Sequence, residues 1–211
     1  MQAGYDVRFE WGEYAAVHIA REVDVAVIVD VLSFSTALGV ACSRGAQVLP
    51  YRFKDATAGS FAKQSAAELS VDRGAPGYSL SPGSMNAIPE GTRLVLPSPN
   101  GSTLTLLCQA GDIVAGCLRN ASGVARWADD TRRSITVIAA GERWPDGTLR
   151  PAIEDLIGAG AIISHLSGRK SPEALVAETA WRAVQSDVQS VIRSSASGRE
   201  LIERGYGDDV D

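Results

Sequence analysis

The stretch 23-VDVAVIVDVLSFSTA-37 decides the fold of this chain. Its first half, Val25 to Val29, is a β-branched run that is too short to cross a membrane and is typical of a strand buried on both faces. The run ends at a carboxylate, Asp30, and hydroxyl residues then open a helical pattern. Open α/β sheets bind ligands where strands end and helices begin, so Asp30, Ser35 and Thr36 are candidate ligand residues. The same residues suit a loop and helix cap equally well, and this stretch alone favours neither interpretation.

Composition and charge narrow the class of protein. The chain has 211 residues, of which 45% are hydrophobic and 21% charged, as expected of a globular protein with a sizeable core. A net charge of −5 without a long basic run argues against nucleic acid as a partner. No apolar run is long enough for a membrane span, and the N-terminus lacks the apolar segment of a signal peptide. The three cysteines form no close pair, so we expect reduced thiols and a cytoplasmic protein.

Strand patterns alternate with helical patterns along most of the chain. The predicted strands are 25–31, 47–53, 93–96, 113–116 and 135–140. The predicted helices are 35–44, 55–69, 100–109, 120–128 and 154–166. This alternation predicts an α/β fold of three layers, α/β/α, with a largely parallel or mixed sheet.

Three further segments have a different character. Residues 7–20 alternate imperfectly and indicate one or two short strands, whereas 72–90 is rich in Gly, Pro and Ser and indicates a functional loop. Residues 171–205 are predicted to be a helical C-terminal segment, begun by the cap and proline at Ser171-Pro172. We expect residues 1–211 to form a single domain.

Polar residues follow four of the predicted strands. These groups are Asp30 to Thr36, Ser98 to Ser102, Gly116 to Asn120, and Ala139 to Arg143 with Glu154-Asp155 just beyond. The carboxyl ends of parallel strands share one edge of a sheet, so we expect the four groups to converge. Carboxylates suit Mg²⁺, and arginines and helix N-termini suit phosphate. Convergence would favour metal-assisted phosphoryl chemistry. Taken singly, Asn100-Gly101-Ser102 is more typical of a turn and cap, and Glu154-Asp155 is more typical of acidic residues in the first turn of a helix.

Five segments, in order, resemble motifs of the 2-phosphosulfolactate phosphatases, the ComB family. VDVLSFSTA resembles that family's V-D-V-L-R-A-[ST]-T-T, and GYSLSPGS occupies the place of its G-x-x-x-G-N-S-P. SPNGS resembles T-T-N-G-T, and GCLRNASGVA resembles G-[SA]-x-x-N-A-x-A-V-A. AAGERW with IEDLIGAGAI resembles C-A-G followed by x-E-D-x-x-x-A-G-A-I. The resemblance covers residues 23–166, and it extends more weakly through the tail.

The resemblance implies a Mg²⁺-dependent phosphatase with a ComB-like fold, a phosphoric monoester hydrolase that converts 2-phosphosulfolactate to sulfolactate and phosphate in coenzyme M biosynthesis. It implies catalytic and metal-binding roles for Asp30, Glu154 and Asp155, with attack by a metal-activated water or by Asp30 itself. We expect the small anionic phosphoester to be bound by motif residues and two nearby arginines: Ser35, Thr36, Asn100, Gly101, Ser102, Arg119, Asn120 and Arg143. The helical tail offers surface for a homodimer, and the family pattern implies one more strand after it.

One departure from the family pattern affects a residue that could bind the anionic substrate. The arginine that follows V-D-V-L in the family is Ser33 here, and serine cannot replace a planar, bidentate cation. This substitution motivates an alternative hypothesis, a non-catalytic relative that binds a phosphorylated or sulfonated metabolite. A third hypothesis, a nucleotide-binding α/β domain, lacks a phosphate-loop motif in the sequence.

Overall fold

A computed structural model describes residues 2–130 and 134–211 and shows parallel sheets flanked by helices. The strands are β1 (Val7–Trp11), β2 (Val25–Val29), β3 (Gln47–Tyr51), β4 (Glu68–Leu69), β5 (Arg93–Pro97), β6 (Asp112–Gly116), β7 (Ile135–Ala139), β8 (Glu142–Arg143) and β9 (Leu149–Arg150). The α-helices are α1 (Gly12–Tyr14), α2 (Phe34–Ser43), α3 (Ala56–Gln64), α4 (Gly101–Leu107), α5 (Ala121–Asp130), α6 (Ile153–His165), α7 (Pro172–Val184), α8 (Val188–Ser194) and α9 (Ala196–Glu203). The predicted α/β fold class is confirmed.

The strands divide between two parallel sheets. One has the order β1-β7-β2-β6, and the other has the order β3-β5-β4. A short antiparallel hairpin of β8 and β9 lies between β7 and α6. The ends of β2, β6 and β7 therefore share one edge, and the end of β5 belongs to the second sheet.

Strand β2 lies at the centre of the first sheet and is buried on both faces, as predicted. Its residues Val25, Val27 and Val29 pack into a core with α5, α6 and α7. The alternate residues Ala26 and Ile28 pack on the opposite face, against the helical segment that follows β1 and against α4. This double burial holds the end of β2, and hence Asp30, at a fixed position.

The prediction of strand for residues 7–20 is correct only up to Trp11. Gly12 has a φ of +63°, and the chain then forms α1, a π turn over Ala15–Ile19 and a 3₁₀ turn over Ala20–Glu22. Strands β1 and β2 both pair in parallel with β7, so the chain between them must cross back along the sheet. The small residues of this segment let it pack closely on β2.

The tail is helical, as predicted. Ser171 caps α7 through a bond from the backbone N–H of Ala174, and Ser195 separates α8 from α9 and caps the latter. The loop 72–90 is largely irregular, with a 3₁₀ turn over Pro82–Ala87. In the described residues, no helix combines the length and apolar character that a membrane crossing needs.

Candidate active site

Asp30 follows β2 directly and is 6% exposed. Its Oδ2 accepts a hydrogen bond of 2.8 Å from the backbone N–H of Gly101, and its Oδ1 accepts one of 3.2 Å from that of Phe34. Gly101 is the first residue of α4, and Phe34 is the first residue of α2. The N-termini of two helices therefore face the Asp30 carboxylate. Burial raises the pKa of Asp30 above its ordinary value, and the amide bonds act in the opposite direction.

Gly101 is the residue that permits this contact. A Cβ at position 101 would lie 2.7 Å from Oδ2 of Asp30 and would overlap the ring of Phe34. The motif glycine is therefore required by the close approach of α4 to the Asp30 carboxylate rather than by a turn.

Asp155 connects the first turn of α6 to the ends of two strands. One carboxylate oxygen accepts a bond of 2.7 Å from the N–H of Val31, and the other accepts one of 2.8 Å from the N–H of Gly141. Burial, followed by the charges of Asp30 and Glu154, raises the pKa of Asp155 well above its ordinary value. Asp155 is thus suited to positioning the ends of β2 and β7.

Glu154 and Glu142 complete a group of acidic side chains around Asp30. Glu154 is 2% exposed, and its one hydrogen bond in the described chain is a long contact of 3.5 Å from the hydroxyl of Ser195. Glu142 accepts a bond of 2.9 Å from the side-chain amide of Asn100. Burial and the negative charge of Asp30 raise the pKa of Glu142 to about 7.

A cavity of about 450 Å³ opens over Asp30, and it has mixed charge. Asp30 and Glu142 supply acidic groups to its wall, and Lys54, Arg73 and Arg204 supply basic groups. The other polar residues of the lining are Ser33, Ser70, Asp72, Ser98, Asn100, Ser197, Glu200 and Tyr206. Carboxylates beside cationic groups suit a ligand that carries both a bound metal and negative charge.

Several predicted substrate-binding residues instead support the backbone. Ser35 accepts from the N–H of Asp30 and donates to the carbonyl of Ile28. Ser102 and Thr36 donate to the carbonyls of Leu96 and Val31, respectively. Asn120 caps the turn after β6 through bonds with Cys117 and Ala115. Of the predicted binding residues, the structure brings Asn100 and Gly101 together with Asp30.

The two predicted arginines lie away from this cavity. Arg143 pairs with Glu13 and donates to the carbonyl of Gly147, beside a separate cleft. Arg119 lines a neighbouring groove with Thr36 and the end of the chain. Neither arginine lines the cavity over Asp30.

The sequence motifs did not predict the basic residues that line the cavity. Lys54 follows β3, Arg73 lies in the irregular loop, and Arg204 follows α9. The unusual composition of 72–90 indicated a functional loop, but nothing in the sequence distinguished Arg73 from the other arginines.

The donor set fits Mg²⁺ as a partly hydrated ion. Within residues 2–130 and 134–211, no three His, Cys, Asp or Glu side chains are placed to enclose a metal by themselves. Mg²⁺ commonly takes one or two carboxylates and keeps several waters beside a substrate phosphate. Asp30 and Glu154 fit that role, because buried acidic groups that repel each other are stabilised by a cation.

The fold and this cavity of carboxylates and basic side chains suit an α/β enzyme that acts on an anionic substrate. Residues 14–211 match the family model described as 2-phosphosulpholactate phosphatase, and the chain belongs to that family. This confirms the resemblance found in the sequence motifs.

Curated relatives agree with the family match. A probable 2-phosphosulfolactate phosphatase of Thermosynechococcus vestitus is 28% identical over 207 residues, covering 89% of this chain and 83% of the relative. Proteins with the same description from Parasynechococcus marenigrum and Carboxydothermus hydrogenoformans are 27% and 29% identical. Each aligns with 88% of this chain, and the alignments cover 82% and 79% of the two relatives.

Proposed function

We propose that this protein is a Mg²⁺-dependent phosphatase that hydrolyses 2-phosphosulfolactate to sulfolactate and inorganic phosphate. The observation that supports it best is Asp30, a buried carboxylate held by two helix N-termini at the wall of a cavity with basic side chains. Family membership supports the reaction class, and the names of the relatives support the substrate.

The chain's own residues suit the reaction in distinct ways. Asp30 and Glu154 would hold the metal, which when bound would offset negative charge at the phosphate. Asp155 positions Asp30 indirectly, since it fixes the adjacent residue Val31. Asn100 orients Glu142 at the cavity wall. In the net reaction, the bond between phosphorus and the ester oxygen of the hydroxy acid breaks, water supplies the new phosphate oxygen, and a proton from that water passes to the released ester oxygen, which becomes the hydroxyl of sulfolactate.

The test is phosphate release from 2-phosphosulfolactate with and without Mg²⁺. We expect turnover only with the metal, and we expect Asp30→Asn to lower kcat by at least about 100-fold. The matched control is Asp187→Asn, which changes an exposed residue at the start of α8 and is expected to leave kcat unchanged. Thermal unfolding of each variant would show whether the fold is retained.

The alternative function, a binding protein without catalysis, has a different signature. It would show a thermal midpoint that rises with 2-phosphosulfolactate while no phosphate is released at any Mg²⁺ concentration. That result, obtained with the folded wild-type protein, would overturn the proposal.

A further inference from the structure

Ser33 stands where the family pattern has an arginine, yet a guanidinium reaches it from elsewhere in the chain. Nη2 of Arg73 donates a hydrogen bond of 2.8 Å to the hydroxyl of Ser33. Arg73 belongs to the irregular loop after β4, and it lines the same cavity as Asp30. The positive charge absent from position 33 is therefore supplied from position 73.

Arg73 is held firmly in this orientation. Its Nη1 forms an ion pair with Asp209, whose side chain is 5% exposed, and the ring of Tyr206 lies 5.7 Å from its guanidinium carbon. The hydroxyl of Tyr206 also donates to the backbone carbonyl of Arg73. A guanidinium has five N–H donors, and the bonds to Ser33 and Asp209 use two of them. In the described chain, the other three N–H donors form no hydrogen bond, and Arg73 lines the cavity.

Ser197 contributes a second polar group to the same cavity. This residue is 5% exposed and lines the cavity, and in the described chain its hydroxyl has no hydrogen-bond partner. Buried hydroxyls are nearly always paired with protein or ordered water, so this hydroxyl has hydrogen-bonding capacity left for a water or a ligand group at the cavity wall. Arg204 lines the same cavity and adds positive charge.

We propose that Arg73 and Ser197 form a subsite for a second anionic group of the substrate, separate from the phosphate at Asp30. This inference rests on the proposed function and adds a requirement to it. The preferred substrate is a phosphorylated hydroxy acid with a sulfonate or carboxylate beside the phosphoester. Arginine can donate paired N–H groups to two oxygens of either anion, the planar carboxylate or the tetrahedral sulfonate.

The experiment compares kcat/KM for three phosphoesters with Mg²⁺ present. 2-Phosphosulfolactate carries a sulfonate and a carboxylate, 2-phospholactate carries only the carboxylate, and isopropyl phosphate carries neither. The test variant is Arg73→Ala combined with Asp209→Asn, because the double change leaves no buried carboxylate unpaired. The control is Arg182→Ala, which removes an equal charge from the exposed face of α7.

We expect the double variant to lose roughly 10- to 100-fold in kcat/KM on the substrate that fills the subsite, with little change on isopropyl phosphate. A loss confined to 2-phosphosulfolactate assigns the subsite to the sulfonate, and an equal loss on 2-phospholactate assigns it to the carboxylate. Adding Ser33→Arg to the double variant should restore most of the loss.

The variant Ser197→Ala distinguishes a role of Ser197 in substrate binding from a role in stabilising the fold. Removal of an unpaired hydroxyl should leave the thermal midpoint unchanged or higher, while KM for 2-phosphosulfolactate rises. An equal fall in kcat/KM on all three esters, in a folded double variant, would overturn the subsite. Absence of any turnover by the wild type would instead overturn the proposed function.

Discussion

At the scale of single residues, the site depends on how closely main chain and side chain approach each other. Asp30 is fixed because Gly101 has no Cβ, and Asp155 is fixed because two strand ends present their N–H groups to it. Hydrogen bonds between buried carboxylates and amides of this kind are among the stronger ones in proteins.

Gly101→Ala should therefore displace Asp30. The new Cβ would lie too close to Oδ2 and to the ring of Phe34, so we expect a loss of about 1–3 kcal/mol in unfolding free energy from overpacking. Phosphatase activity should fall at least about 10-fold. The measurements are chemical denaturation and steady-state phosphate release.

Gly59→Ala is the matched control for that substitution. Gly59 lies within α3, where a Cβ would meet no atom within 4 Å, so alanine should be neutral or stabilising there. Equal behaviour of the two variants would contradict the role given to Gly101.

The sequence predicted Asp30 and Gly101 because both lie in short motifs at strand ends. It could not predict Arg73, because the contact with Ser33 joins residues 40 positions apart through an irregular loop. The motifs also predicted binding roles for Ser35, Ser102 and Asn120, whose side chains bond to the backbone in this structure. In sequence, a hydroxyl or amide that supports the backbone looks the same as one that faces a ligand.

At the scale of elements, periodicity was a reliable guide where a buried element has a continuous apolar run. Strand β2 and helix α6 were predicted almost to their ends because their apolar residues are continuous. The segment after β1 was wrongly predicted as strand, since its helical turns are short and its π and 3₁₀ turns do not follow the α-helical period. The division of strands between two sheets is set by pairing between distant segments, which periodicity does not encode.

The packing of α6 on α7 yields a prediction at this scale. A Cβ at Gly160 would overlap the backbone carbonyl of Ala177 and lie 2.9 Å from Cβ of Trp181. Gly160→Ala should force the two helices apart and lower the unfolding free energy by about 2–4 kcal/mol. The same Gly59→Ala control applies, and an unchanged thermal midpoint for Gly160→Ala would contradict the close helix contact.

At the scale of the whole molecule, folding gathers acidic groups that are far apart in the chain. Asp30, Glu142, Glu154 and Asp155 act on one another electrostatically with little exposure to water. Such a group opposes folding unless protons or a cation offset its charge.

The pH dependence of stability should report this cost in metal-free protein. Glu142 has an ordinary pKa of 4.5 and a folded pKa of about 7, so the folded state binds its proton more tightly than the unfolded state. Its contribution to stability is therefore full below pH 4.5 and is lost as the pH rises through 7.

Glu142→Gln, which keeps an acceptor for Asn100, should remove that loss. As the pH rises from acidic to neutral, the unfolding free energy of the variant should increase by about 1–3 kcal/mol relative to that of the wild type. Denaturation with a chelator present at a series of pH values measures it, and parallel curves for the two proteins would refute the assignment.

The ion pair between Arg73 and Asp209 joins residues 136 positions apart. The cavity can therefore be completed only after both residues have been synthesised. During synthesis, β2 and Asp30 leave the ribosome early. Arg73 cannot form its ion pair until Asp209 has also been synthesised. A chain interrupted before that point would retain the strands of its first sheet and still lack a fixed guanidinium. Maturation of the pocket would therefore lag behind formation of the core, and a protease that trims the last few residues would impair the pocket first.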